Sequence, residues 1–364
     1  MERGFRRRVL MAYLVLLSAS LVDRTAEAGL FRNLRRSPPI CCQYFYVEPQ
    51  GVPQGAKVPV VLYLHGAGGA TLGPPRRDAW AFRRLAERGY LVLVPLFQEG
   101  NVIRPYTWMT SAICGYKSAL ASVRSRGRVV PDTQRLAIVS ESMGSLFALR
   151  MAALAAHRDD LPAPQAIIMH DGAGYSFAPY YSSRIRDIRR WCYTTAPFDS
   201  FPSVADNTLL VSLIAETSWQ HDAIEEPADG DAVGFGNGNV GGVVSRSWHT
   251  TGIKPENRFA FLVHGDDSRS PPLISDHGVG VDSPDDVEAI YWRVTEAALE
   301  AVFAGNQPDF SEDLSRTWSD GSPQLTVVPD VPKPQPFVWD CGMYLRLHHK
   351  AHWGMPRGVC RGCR

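Results

Sequence analysis

The chain has 364 residues, enough for one large α/β domain or two modest ones. Its 45% hydrophobic and 21% charged content are those of a folded globular protein and exclude wholesale disorder. A net charge of +1 gives no electrostatic reason for nucleic acid as a partner. In chain order, the first segment reads as a targeting signal. "MERGFRRR" is a basic stretch, "VLMAYLVLLSASLV" an apolar core, and Ala26-Glu27-Ala28 the small-x-small pattern that a signal peptidase cuts. The apolar run is shorter than the roughly 20 residues a membrane span needs. The expectation is therefore a signal peptide over residues 1–28 cleaved after Ala28, a secreted or periplasmic product, and no stable membrane span afterwards. Cleavage leaves a net charge of −1 and all seven cysteines, so disulfides are possible and at least one thiol is left over.

Residues 29–57 read as a basic, Pro-containing leader. From Val58 onward, apolar runs alternate with helical stretches. "VPVVLYLHG", "YLVLVPLF", "RLAIVS", "QAIIMHD", "NTLLVSLIAE" and "NRFAFLVHG" predict strands. "DAWAFRRLAERG", "TSAICGYKSALASVRSR", "SLFALRMAALAAH" and "DDVEAIYWRVTEAALEAVFAG" predict helices. Strands apolar on both faces, separated by helices, imply an α/β fold with a mainly parallel sheet covered on both sides. Such sheets bind ligands beyond the carboxyl ends of their strands, which is where functional residues are expected. The Gly-rich stretch 229–244 predicts a surface loop, and the Pro-rich stretch 322–336 an extended linker. Residues 306–364 then form a linker and a tail carrying Cys341, Cys360, Cys363, His348, His349 and His352. Without a second well-spaced pair, these favour a disulfide or an exposed basic tail over a metal site.

"LAIVSESMGSLFALRMA" places three serines between a predicted strand and a predicted helix. A nucleophile elbow strains its central residue and needs small residues two before and two after it. Ser140 would be flanked by Ile138 and Ser142, and Ser145 by Met143 and Phe147. Only Ser142, between Ser140 and Gly144, passes. An ordinary N-capping serine is the plainer alternative. Acyl transfer also needs two backbone N–H donors for the oxyanion. Met143, just after Ser142, supplies one, and Ala67 or Gly68 in the turn of "LYLHGAGG" the other. His65 is expected to brace that turn.

"VVLYLHGAGG", followed by "SESMG" and a late histidine, resembles the α/β-hydrolase fold superfamily over roughly residues 58–304. Within it, the arrangement looks most like the chlorophyllase, platelet-activating-factor acetylhydrolase and dienelactone-hydrolase-like esterases. The motif departs from GxSxG only at its first position, where Ser140 stands. The resemblance implies a catalytic domain over 58–305 without a large cap, and a Ser-acid-His hydrolase that works through an acyl-enzyme without a cofactor or metal. It also implies a small-molecule or lipid-like ester as substrate. Asp171, after the strand that follows the elbow, matches the position of the acid in chlorophyllase-like relatives. Most other members carry the acid after the next strand, where Glu216 and Asp222 are the alternatives and Ser218 occupies the usual aspartate slot. His277, in the polar loop before the last helix, is the expected base. His264 reads as a strand-end histidine, and His221 and His249 as loop residues. A peptidase, an acyltransferase or an inactive binding protein on the same fold remain the alternatives.

Overall fold

A computed structural model describes residues 43–66, 79–97, 105–126, 128–172, 204–216, 244, 247–249, 251–270, 272–275, 286–328 and 331. The predicted signal segment, the Gly-rich loop up to residue 243 and the Cys/His tail lie outside these residues. The strands are β1 (Gln43–Val47), β2 (Ala56–Leu64), β3 (Leu91–Leu96), β4 (Val129–Glu141), β5 (Ala166–His170), β6 (Leu209–Ala215), β7 (Arg258–Val263) and β8 (Leu325–Val327). The helices are α1 (Ala79–Glu87), α2 (Pro105–Arg126), α3 (Gly144–Ala155), α4 (Asp286–Phe303) and the short α5 (Ser311–Ser315).

β3, β5 and β6 are buried along their whole length, as their apolar sequences, interrupted only by Ser212 and the terminal His170, require. All eight strands form one sheet in the order β1-β3-β2-β4-β5-β6-β7-β8. β2 to β7 run parallel, and β1 and β8 close the two edges antiparallel. Successive side chains of a strand point to opposite faces, so the sheet supports two cores. Val60, Leu62, Leu136 and Ile138 pack with α2 and α3 on one face. Val61, Tyr63, Ala137 and Val139 pack with α1 and α4 on the other. Arg84 of α1 and Arg88 just after it both pair with the buried carboxylate of Glu296, which fastens α1 to α4. A mainly parallel sheet, helices on both faces and a tight strand–turn–helix after the central β4 together make this the α/β-hydrolase fold.

Two segments depart from the sequence reading. Residues 43–47, assigned to the leader, form β1, with Gln43 opposite Leu96 and Val47 opposite Val92. Residues 325–327, assigned to a linker, form β8 against β7. Both are short edge strands, and β8 sits amid prolines, a composition that reads as linker although edges tolerate it. The sheet domain therefore extends past both expected boundaries, 58 and 305. Cys114 in α2 is disulfide-bonded. It is the only cysteine among the described residues, so its partner lies outside them. Among the described residues no helix is long and apolar enough to cross a membrane.

Candidate functional site

The register places the carboxyl ends of the central strands side by side: Leu64 opposite Ser140, Glu141 opposite His170, and His170 opposite Leu213. β4 ends at Glu141, and the chain must turn through Ser142 and Met143 to start α3 at Gly144. Ser142 makes that turn with φ of 48°. This left-handed conformation costs a residue with a Cβ about 1–2 kcal/mol. Its N–H donates to the His170 carbonyl at 2.9 Å, and its carbonyl accepts from Ser145 N–H at 3.0 Å.

The flanking residues show why small side chains are required. A Cβ on Gly144 would lie 2.0 Å from the Leu64 carbonyl oxygen and 2.8 Å from that of His65, both main-chain atoms that cannot swing away. Ser140, which replaces the first glycine of the motif, is fully buried. Its hydroxyl lies 3.2 Å from both the Ser145 hydroxyl and the Ile168 carbonyl, so the extra polar group is satisfied. The N-cap of α3 is Met143, in helical conformation and without a side-chain cap bond. Ser142 thus stands one residue before the cap position that the plainer alternative would give it. The Met143 N–H belongs to the set of amides at a helix start that have no intrahelical partner.

Beside the elbow, β2 runs into His65 and Gly66. The His65 ring stacks on Phe97 with centroids 4.0 Å apart and planes within 4°. Burial pushes its pKa down to about 4, so the ring is neutral near pH 7. Its Nδ1 lies 2.9 Å from the Gly66 carbonyl, which can only accept, so the proton sits on Nδ1. His65 braces the turn through both ring face and ring nitrogen. The Gly66 N–H donates to Glu141 Oε2 at 2.6 Å, a contact across 75 residues of sequence. Ala67 and Gly68 lie outside the described residues.

Asp171 follows β5, is 2% exposed and has φ of 44°. Its N–H donates to the Leu213 carbonyl at 2.8 Å. Its Oδ1 accepts the Ala215 N–H at 2.6 Å, and its Oδ2 accepts the Tyr291 hydroxyl at 3.1 Å. Both donors orient the carboxylate. Tyr291 comes from α4, 120 residues away. The adjacent His170 is 1% exposed, and burial lowers its pKa to about 3. Thr295 Oγ1 gives its one proton to the Tyr291 carbonyl, so His170 Nε2, 2.7 Å from that oxygen, must be the donor. His170 is a neutral core residue joining β5 to α4.

Of the other acids considered, Glu216 directly follows β6 and sits 3.2 Å from His264 Nδ1. His264 Nε2 lies 2.8 Å from Thr326 Oγ1 on the edge strand β8, away from β4. Asp222, His277 and His221 lie outside the described residues. His249 Nε2 lies 2.9 Å from the Val331 carbonyl. Among the described residues no group of three or more His, Cys, Asp and Glu could hold a metal ion.

The structure brings together Ser142, the Met143 amide and Asp171 at the ends of β4 and β5. Glu216 is paired with His264. Glu141 and Tyr291 are contacts that sequence reading did not anticipate. Glu141 is the variable position of the serine motif, and Tyr291 one of several aromatics on an amphipathic helix, so neither carries a local signal.

The chain matches no protein-family model and no curated protein sequence. Among solved structures it is similar to an esterase from Rhizomucor miehei, at 12% identity and a TM-score of 0.46, covering 72% of this chain and 80% of that one. A soluble variant of the Saccharomyces cerevisiae monoglyceride lipase gives 11% identity and a TM-score of 0.47, with 71% and 91% covered. Dienelactone hydrolase from Anabaena variabilis gives 12% identity and a TM-score of 0.41, again with 71% and 91% covered.

Proposed function

We propose that this protein is a secreted or periplasmic serine hydrolase of carboxylic esters, with Ser142 as nucleophile, Asp171 as acid and His277 as base. The observation that carries the reading is the left-handed backbone of Ser142 at the β4–α3 turn. It fits an elbow that presents a serine hydroxyl at the carboxyl edge of the sheet, and a plain helix start has no need of it.

In this reading His277 takes the Ser142 proton as Oγ attacks the ester carbonyl. The Met143 N–H and an N–H from Ala67 or Gly68 receive the developing oxyanion. His277 then passes its proton to the departing alcohol, and water releases the acyl group by the same route in reverse. Asp171 holds the imidazole in the tautomer whose other nitrogen faces Ser142. Donors from β6 and from Tyr291 support that role by fixing the carboxylate on a rigid strand tip. The leader sequence and the disulfide at Cys114 both favour an oxidising compartment.

A panel of p-nitrophenyl esters set against peptide anilides tests the reading. Ester turnover that Ser142→Ala abolishes and Asp171→Asn cuts by about 10⁴-fold is the expected result. Loss on Asp222→Asn with Asp171→Asn unaffected would move the acid to Asp222. Turnover of anilides alone would make the protein a peptidase, and binding without turnover an inactive hydrolase-fold binder.

A further inference from the structure

The carboxylate of Glu141 belongs to neither the nucleophile, the acid nor the base, yet it meets the turn after β2 at close range. Its Oε2 accepts the Gly66 N–H at 2.6 Å. The other side of the same residue is also held, because His65 Nδ1–H donates to the Gly66 carbonyl at 2.9 Å. Gly66 is therefore gripped at both N–H and C=O immediately before Ala67 and Gly68. The absence of a side chain there makes the contact possible. A Cβ on Gly66 would lie 2.5 Å from Glu141 Oε2 and 2.7 Å from both Cδ and Oε1.

Resting on the reading of Ser142 as nucleophile, we propose that Glu141 is a positioning residue that ties the elbow carrying Ser142 and the Met143 amide to the end of β2 at Gly66. Glu141 is bonded to Ser142 and is two residues from the Met143 amide, so it moves with one half of the hole. Through Gly66 it holds the chain at the point where β2 has ended. The Gly66 N–H is consumed by this bond, which leaves the donor role to the residues after it. A negative charge near a developing oxyanion is itself unfavourable. The benefit therefore comes from geometry, and an uncharged acceptor of the same shape should preserve it.

Glu141→Gln keeps an acceptor oxygen for Gly66 N–H, and Glu141→Ala removes it. A displacement of about 1 Å in such a site costs up to about 10²-fold in rate. The expectation is that Glu141→Ala lowers kcat by about 10- to 100-fold with little change in KM, and that Glu141→Gln stays within about 5-fold of the native enzyme. Gly66→Ala should produce a similar loss alone and add almost none in the Glu141→Ala background, because its Cβ displaces the same carboxylate. Amide hydrogen exchange at Gly66 gives a readout independent of turnover: protection should fall in Glu141→Ala and persist in Glu141→Gln.

Unchanged kcat and unchanged Gly66 protection in Glu141→Ala would overturn the proposal, as would multiplicative losses for Gly66→Ala and Glu141→Ala. So would a loss confined to KM or thermal stability. A fluorophosphonate probe separates this from failure of the underlying reading. If the native protein is labelled at Ser142 and Glu141→Ala is labelled equally fast, only the positioning role falls. If the native protein is not labelled at Ser142, both fall.

Discussion

Replacing Ser142 by glycine should make the protein more stable while destroying its activity, and replacing it by alanine should destroy activity without that gain. Serine and alanine both carry a Cβ, and at φ of 48° that atom crowds the following carbonyl, at about 1–2 kcal/mol. Glycine escapes this cost but gives up about 0.5–1 kcal/mol more conformational freedom on folding. The net difference between Ser142→Gly and Ser142→Ala is then about 0.5–1 kcal/mol in favour of glycine. For a domain of this size that corresponds to roughly 1–4 °C in the thermal midpoint. Urea and thermal denaturation of the two variants side by side measure it, and since both lack the hydroxyl, lost side-chain hydrogen bonds cancel. Equal stability, or a less stable glycine variant, would refute the idea that the fold holds Ser142 under strain.

Gly144→Ala should cost more than about 2 kcal/mol, at the upper end of overpacking effects, because its Cβ meets main-chain oxygen on β2. A urea midpoint within error of the native protein would contradict the close packing of elbow and β2. Tyr291→Phe removes a donor oriented on Asp171, so ester turnover should fall several-fold, with a stability loss of about 1–3 kcal/mol. A kcat equal to that of the native enzyme would show that the Tyr291 hydroxyl is not needed to orient Asp171. Acid should destabilise the fold through His65 and His170, whose pKa values of about 4 and about 3 lie below the ordinary 6.5. The unfolded chain then binds more protons between about pH 3 and 6.5, so their stabilisation is complete above pH 6.5 and is lost as pH falls through that window. At pH 5 each should have cost about 2 kcal/mol relative to pH 7.5. Urea denaturation at the two pH values checks this, and His65→Asn should lose about half of the dependence.

The parallel strands were legible because their apolar runs are continuous and each ends at a glycine, a polar residue or a helix start. The elbow was legible for a steric reason: only Ser142 has small neighbours on both sides, and the Gly144 contact with Leu64 is the collision that rule anticipates. The edge strands β1 and β8 were not, since "QYFYV" and "LTV" gain their order by pairing with β3 and β7, which no local pattern encodes. Long-range contacts account for the rest. Glu141 finds its partner 75 residues back and Tyr291 its partner 120 residues back, and only the sheet order brings them together. Glu216 showed the converse. Its strand-end position was readable, but its pairing with His264, which also reaches Thr326 on the edge strand β8, was not.

Mapping the site of fluorophosphonate attachment tests the central claim most directly. Mass spectrometry of the digested adduct should find the label on Ser142 alone, and Ser142→Ala should not be labelled. Ser140 and Ser145, both fully buried and hydrogen-bonded to each other, should stay unmodified in every sample. A label on either of them, or no label on the native protein, would contradict the account.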